Sequence, residues 1–133
     1  MHTVPEYLNP VAEKQVALYV RDLANGQIGN TESQTRALVD WCTRNGITQY
    51  QIFCDQGIYG AKQSRPALNR LMKNIEDDQI SQVVVFAFST FASSTSHLLR
   101  ALEKLRAKSV RFQSLTVHRR RSRHSQDEFS KLV

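Results

Sequence analysis

The chain has 133 residues, 41% of them hydrophobic and 23% charged, with a formal net charge of +6 at pH 7. These values are typical of one soluble globular domain and exclude a disordered chain. No apolar run approaches the roughly 18 residues of a membrane-spanning helix, and the N-terminus lacks the pattern of a secretory signal. We therefore expect a cytoplasmic protein without a membrane partner, and the basic charge favours nucleic acid as the partner.

The pattern along the first part of the chain predicts an extension over residues 1–14 and a strand over 15–22. The apolar run 16–20 is typical of a buried parallel strand, and the polar pair Arg21 and Asp22 follows it. Sites in open α/β sheets lie at the carboxyl ends of such strands. Arg21 is therefore a candidate anion ligand, although a solvated arginine is the simpler interpretation of this stretch alone.

Three further strands and three helices are predicted in alternation. A helix runs from the N-cap at Asn30 or Thr31 to residue 44, a strand covers 51–54, and a polar loop covers 55–64. Pro66 begins the second helix, a strand covers 82–88, and a final strand covers 110–115. A third helix over 93–108 has leucines predicted to face inward: Leu98, Leu99, Leu102 and Leu105.

This order predicts an α/β fold with a mainly parallel sheet of four to five strands and helices on both faces. The domain is expected to span 15–116, and 117–133 to form a basic tail or short helix. Cys42 and Cys54 show no disulfide or metal spacing, so we expect reduced, partly buried thiols. No metal or other cofactor is expected.

Three blocks of sequence together resemble the N-terminal catalytic domain of the serine recombinases, the resolvase/invertase family. They are ALYVRD…Q at 17–27, FCDQGIYGAKQSRPALNRLM at 53–72, and the stretch VVVFAFSTFASSTSHLLRALEKLRAKSVRFQSLT at 83–116. The resemblance implies a resolvase-like fold and a serine that attacks a DNA backbone phosphate to form a phosphoserine link, without a metal. Phosphoryl transfer of this kind needs cations around the phosphate, and arginine forks suit that task.

The resemblance also implies which positions carry the chemistry. The family's nucleophilic serine lies two residues after the arginine that leaves the first strand, and that position here is Leu23. The family's Asp-Arg-x-x-Arg pattern falls on Ser89, Thr90 and Ser93, and a common serine before the loop glycine is Tyr59. The retained positions are Arg21, Gln27, Gln34, Asp55 and Arg65.

These replacements predict a domain that keeps the fold and has lost catalysis. The hydroxyls over 89–96 allow an alternative in which a nucleophile has moved there. The simpler interpretation is a polar turn with Ser93 or Ser94 as a helix N-cap. His97 is then an ordinary surface residue. An active recombinase with unorthodox residues and a remnant without a role are the other hypotheses.

The tail adds four arginines in the run HRRRSRH, namely Arg119, Arg120, Arg121 and Arg123. Such a run predicts weak, salt-dependent DNA binding without sequence preference. The family's long helix and DNA-binding region are not recognisable after residue 116. The expected partners are DNA, an active serine recombinase, or a second copy of this chain. We also expect Arg21 and Arg65 to share one phosphate-sized space.

Overall fold

A computed structural model describes residues 14–22, 30–56, 65–92 and 94–116. They form four strands and four helices. In chain order these are β1 (Gln15–Arg21), α1 (Thr31–Arg44), β2 (Tyr50–Asp55), α2 (Pro66–Glu76), β3 (Ile80–Val85), α3 (Phe88–Phe91), α4 (Thr95–Ala107) and β4 (Arg111–Ser114).

The four strands form one parallel sheet in the order β2-β1-β3-β4. β1 therefore lies in the interior of the sheet, and both of its long edges are hydrogen-bonded. This explains why its residues 17–20 are all completely buried and why an uninterrupted apolar run encodes it. The predicted α/β class is confirmed.

Helices cover both faces of this sheet. Ala17 and Tyr19 point to the face covered by α2, α3 and α4, where the larger of two core clusters lies. Leu18 and Val20 point to the opposite face and pack against α1. The alternation follows from the two-residue repeat of a strand.

Side chains cap two of the helices at their first turns. The Asn30 Oδ1 atom accepts a hydrogen bond from the Ser33 backbone N–H at 2.8 Å. The Ser94 Oγ atom accepts one from the His97 backbone N–H at 3.1 Å. Both residues have the extended backbone of an N-cap, so Ser94 is a cap in the segment where the sequence predicted one.

The chain leaves the sheet earlier after β3 than the sequence predicted. The strand ends at Val85, and the short helix α3 follows from Phe88. The Phe88 ring stacks on Phe112 at 5.8 Å between ring centroids. Phe88 therefore packs against the core from outside the strand. A run of apolar residues does not distinguish this packing from a continuing strand.

Two predictions of burial are wrong. Leu99 is 47% exposed, because the inward stripe of α4 consists of Leu98, Leu102 and Leu105, and a residue one position away points about 100° from it. Cys54 is exposed, whereas Cys42 is buried. Cys54 lies on the edge strand β2, which is hydrogen-bonded to β1 alone. Within the described segments, no helix is long and apolar enough to span a bilayer.

Candidate functional site

The candidate site lies at the carboxyl edge of the sheet, where β1 and β2 end side by side. Arg21 is the last residue of β1 and pairs in register with Asp55, the last residue of β2. Arg65 directly precedes α2, and Ser89 and Thr90 lie in α3. The parallel topology therefore brings four separate parts of the chain to one place.

The two arginines converge on the backbone of α3. The Arg65 Nη2 group donates to the carbonyl oxygens of Thr90 at 3.1 Å and Phe91 at 2.9 Å. Arg21 donates from Nε to the same Thr90 oxygen at 3.3 Å and from Nη2 to the Ser89 oxygen at 3.0 Å. The two guanidinium groups thus lie in one shared space. Their binding of phosphate stays a prediction.

Asp55 connects β2 to the beginning of α2. Its Oδ1 atom accepts the Ala67 backbone N–H at 2.8 Å, and its Oδ2 atom accepts the Leu68 N–H at 3.0 Å. These N–H groups are among the first four of the helix, which have no partner inside it. A carboxylate at a helix N-terminus also interacts favourably with the helix dipole. Asp55 is 2% exposed, and it acts here as the cap of α2.

Tyr19 joins Asp55 to Arg65. Its hydroxyl donates to Asp55 Oδ2 at 2.7 Å and accepts from Arg65 Nε at 3.2 Å. The Arg65 guanidinium also lies 5.5 Å from the centre of the Tyr19 ring, within cation–π range. The sequence analysis missed Tyr19. The available signal was a tyrosine inside the apolar run 16–20, since a buried phenol needs a hydrogen-bond partner.

Burial shifts the proton equilibria of this cluster. Burial, followed by the hydrogen bond to Asp55, raises the pKa of Tyr19 well above its usual value, so the phenol stays neutral. Burial, followed by the charge of Arg65, lowers the pKa of Arg21. None of the ion pairs among the described residues includes Arg21 or Arg65. Carbonyl and phenol oxygens therefore accept the hydrogen bonds of two neighbouring cations.

Two further side chains fix the exit of β1. Gln34 is completely buried, and its side-chain amide makes two hydrogen bonds with the Arg21 backbone. Its Nε2 group donates to the Arg21 carbonyl oxygen at 2.8 Å, and its Oε1 atom accepts from the Arg21 N–H at 3.3 Å. The Asp22 Oδ1 atom accepts the Thr31 N–H at 3.0 Å. These bonds hold the residues on either side of segment 23–29.

Several predicted site residues lie outside the described residues: Leu23, Gln27, Tyr59, Ser93 and the tail arginines Arg119, Arg120, Arg121 and Arg123. Their assignments stay predictions.

Of the other hydroxyls, Ser89 is exposed and Thr90 is completely buried. The Thr90 Oγ1 atom has no hydrogen-bond partner among the described residues, so none of them acts as a base that would activate it. Those residues also contain no cluster of three His, Cys, Asp or Glu side chains that could hold a metal ion.

A family profile described as "Resolvase, N terminal domain" matches residues 16–133. The chain belongs to the resolvase N-terminal domain family. The matched segment includes every residue of the candidate site. This resolvase domain is thus a serine-recombinase-like domain related to site-specific recombination. A search of curated proteins found no significant match.

Solved structures support this assignment. The N-terminal catalytic domain of TP901-1 integrase is 28% identical, with a TM-score of 0.66 and 77% of each chain covered. A resolvase family site-specific recombinase from Streptococcus pneumoniae is 23% identical, with a TM-score of 0.67 over 90% of this chain and 85% of that chain. A serine recombinase from Sulfolobus solfataricus is 18% identical, with a TM-score of 0.64 over 90% and 80%. The last two similarities show the fold alone.

Proposed function

We propose that this resolvase domain is catalytically inactive and acts as a binding or regulatory module. The observation that carries the proposal is Leu23, which occupies the position of the family's nucleophilic serine, two residues after Arg21. A leucine side chain has no atom that can attack phosphorus, so the covalent route is closed at its first step. Restoration of an attacking atom is therefore necessary for catalysis.

The environment of Thr90 supports the proposal independently. The resemblance places a family arginine at this position, whereas here the side chain is a completely buried threonine. The backbone of Thr90 already accepts hydrogen bonds from both Arg21 and Arg65. Loss of one electrostatic donor typically costs a hundredfold or more in rate, and here Thr90 and Ser93 replace two arginines while Ser89 replaces the aspartate.

One observation favours the second candidate, an active recombinase with unorthodox residues. Arg21, Asp55 and Arg65 are retained, and they lie together at the carboxyl edge of the sheet. A covalent protein–DNA adduct on a nicked substrate distinguishes the two candidates. The variant Leu23→Ser sharpens the comparison: we expect no cleavage from it, because the serine alone leaves the phosphate without its missing arginines. Cleavage by this single variant would contradict the importance given to Thr90 and Ser93.

DNA contact is proposed for the four arginines of the tail. Four phosphate contacts predict non-specific duplex binding at low salt with a dissociation constant on the order of 10⁻⁴ to 10⁻⁶ M. The logarithm of the binding constant should fall with that of the salt concentration with a slope of about −3.6. An increase from 50 to 200 mM salt then weakens binding roughly a hundredfold. Arg21 and Arg65 are predicted phosphate ligands by the resemblance, but their bonds to α3 predict a small contribution at most.

Fluorescence anisotropy with duplexes of scrambled sequence tests this assignment. Substitution of alanine for all four tail arginines should abolish binding at low salt. A control variant loses the same charge through alanine at four exposed arginines of α1 and α4: Arg36, Arg44, Arg100 and Arg106. It should retain part of the binding, because the tail arginines remain. Equal losses in both variants would show that net charge alone attracts DNA. Tight binding at physiological salt, or preference for one sequence, would contradict the non-specific assignment.

A regulatory role requires a protein partner, either an active serine recombinase or a second copy of this domain. Sedimentation of the full chain alone, and of the chain mixed with a recombinase encoded beside it, tests both. A complex with the recombinase would support the regulatory role. A monomer with neither partner would favour the remnant hypothesis.

A further inference from the structure

The retained arginines have a ligand inside the fold. We infer that the carbonyl edge of α3 is the built-in ligand of the Arg21–Arg65 pair, so that the pair fastens α3 to the sheet and does not bind external phosphate. This inference goes beyond the proposed function, because it holds whether or not the tail contacts DNA.

The hydrogen-bond donors of the two arginines support this inference. A guanidinium group has five N–H donors, and its side-on fork consists of Nε and one terminal nitrogen. In Arg65 this fork is used completely, since Nε donates to the Tyr19 hydroxyl and Nη2 donates to two carbonyls. In Arg21 the same two nitrogens donate to α3. The side-on fork of each arginine, which would otherwise be available to grip a phosphate bidentately, is therefore occupied.

The backbone carbonyl acceptors of α3 support the same inference. The last four carbonyls of any helix have no partner inside it, and α3 has only four residues. The Phe88 carbonyl accepts the Ala92 N–H, whereas the carbonyls of Ser89, Thr90 and Phe91 accept from the two arginines. Thr90 and Phe91 are buried, so these oxygens require protein donors. The N–H donors of the arginines therefore match the carbonyl acceptors of α3.

The aromatic core holds α3 in this position. Phe91 is 2% exposed, and its ring lies 6.3 Å from Tyr19 in an edge-on arrangement and 5.0 Å from Phe112. Withdrawal of α3 from the arginines would pull Phe91 out of this cluster and leave the three carbonyls of Ser89, Thr90 and Phe91 without these donors. Because both effects oppose release, the side-on forks of the two arginines stay closed to phosphate under native conditions.

NMR of the arginine Nε–H groups in the folded full chain tests the inference directly, with inorganic phosphate as the probe. We expect the Arg65 Nε–H resonance to be visible at neutral pH, since a buried hydrogen bond slows its exchange with water. It should show no saturable shift as phosphate is added. A saturable shift at Arg65 or Arg21 would overturn the inference.

Stability of substituted chains provides the second readout. Arg65→Met should lower Tm by about 5 °C or more, and Arg65→Lys should recover only part of the loss, because an ammonium group lacks the planar fork. Arg100→Met, at an exposed arginine of α4, serves as the control and should leave Tm nearly unchanged. Native stability of Arg65→Met would overturn the inference. If that variant does not fold, the phosphate titration of the unsubstituted chain still decides the question.

The outcomes are independent of the proposed function. Loss of stability in Arg65→Lys with unchanged binding to duplex DNA per folded molecule supports the fastening role and the assignment of DNA contact to the tail. A phosphate shift at Arg65 overturns the fastening role and leaves the inactive assignment intact. A covalent DNA adduct overturns the inactive assignment and leaves the fastening role intact.

Discussion

Substitution of Tyr19 by phenylalanine measures how strongly the buried cluster stabilises the fold. The change removes only the hydroxyl from a side chain that is completely buried. Two bonds are lost, one of 2.7 Å to the Asp55 carboxylate and one of 3.2 Å from Arg65 Nε. Asp55 keeps both of its backbone donors, from Ala67 and Leu68, whereas the Nε–H of Arg65 loses its acceptor.

The expected cost follows from these two bonds. A hydrogen bond to a charged group contributes about 1.5–3 kcal/mol, and a buried donor left unpaired costs about 1–3 kcal/mol. The remaining bonds of Asp55 and relaxation of Arg65 offset part of the sum. We therefore expect Tyr19→Phe to lower the free energy of unfolding by about 2–4 kcal/mol, a large fraction of the 5–15 kcal/mol typical of a domain.

Equilibrium unfolding in urea, followed by circular dichroism, measures this change. With an m-value of about 2 kcal/mol/M, in the middle of the usual range for urea, the midpoint should fall by roughly 1–2 M. Tyr50→Phe is the matched control, because Tyr50 is half-buried and its hydroxyl makes no hydrogen bond to another described residue. That control should change stability by less than about 0.5 kcal/mol. Equal effects of the two substitutions would refute the role assigned to Tyr19.

Three further outcomes are expected. Thr90→Val should raise the free energy of unfolding by about 1 kcal/mol in the same urea assay, because it removes a buried hydroxyl without a partner among the described residues. A fall of the free energy of unfolding by the same amount would show that the hydroxyl is hydrogen-bonded. A thiol reagent should label exposed Cys54 in the native protein and buried Cys42 only after unfolding. Partial desolvation of the sulfur atoms raises the pKa of both thiols and slows the reaction. Rapid native labelling of Cys42 would contradict its burial. The raised pKa of Tyr19 means that its contribution to stability is complete below pH about 10, where the unfolded phenol is still protonated, and is lost above it. The free energy of unfolding of Tyr19→Phe in urea should therefore decline less steeply at alkaline pH than that of the unsubstituted chain. An equally steep decline would be inconsistent with this shift.

Much of the fold was predictable because its patterns are local. The apolar run of β1 indicates a strand that is buried on both faces, and the Asn30 cap and Pro66 mark the beginnings of α1 and α2. The four residues of α3 were not predictable, since the preceding apolar run extends into Phe88 and the helix has less than two turns. Leu99 was misplaced because four leucines in one helix were assigned to one stripe that only three of them share.

The sequence indicated three residues of the candidate site but not the hydrogen bonds that join them. The resemblance placed Arg21, Asp55 and Arg65 together, and all three lie at one edge of the sheet. That backbone carbonyls accept the arginine donors could not be read from the sequence, because those acceptors are present in every residue. Only the tertiary position of α3 selects Ser89, Thr90 and Phe91. Tyr19 was overlooked for a related reason, since its polar atom is one among the many apolar atoms of a buried strand.

The most direct test of the inactive assignment is a search for a covalent link between this chain and DNA. The full chain is incubated with supercoiled plasmids that carry the DNA flanking its coding sequence, then denatured and examined for protein-bound DNA by gel and mass spectrometry. An active serine recombinase on its own site, treated in the same way, provides the positive control. The account predicts no adduct, because Leu23 has no atom that attacks phosphorus. A DNA fragment attached to any serine or threonine of this chain would contradict it.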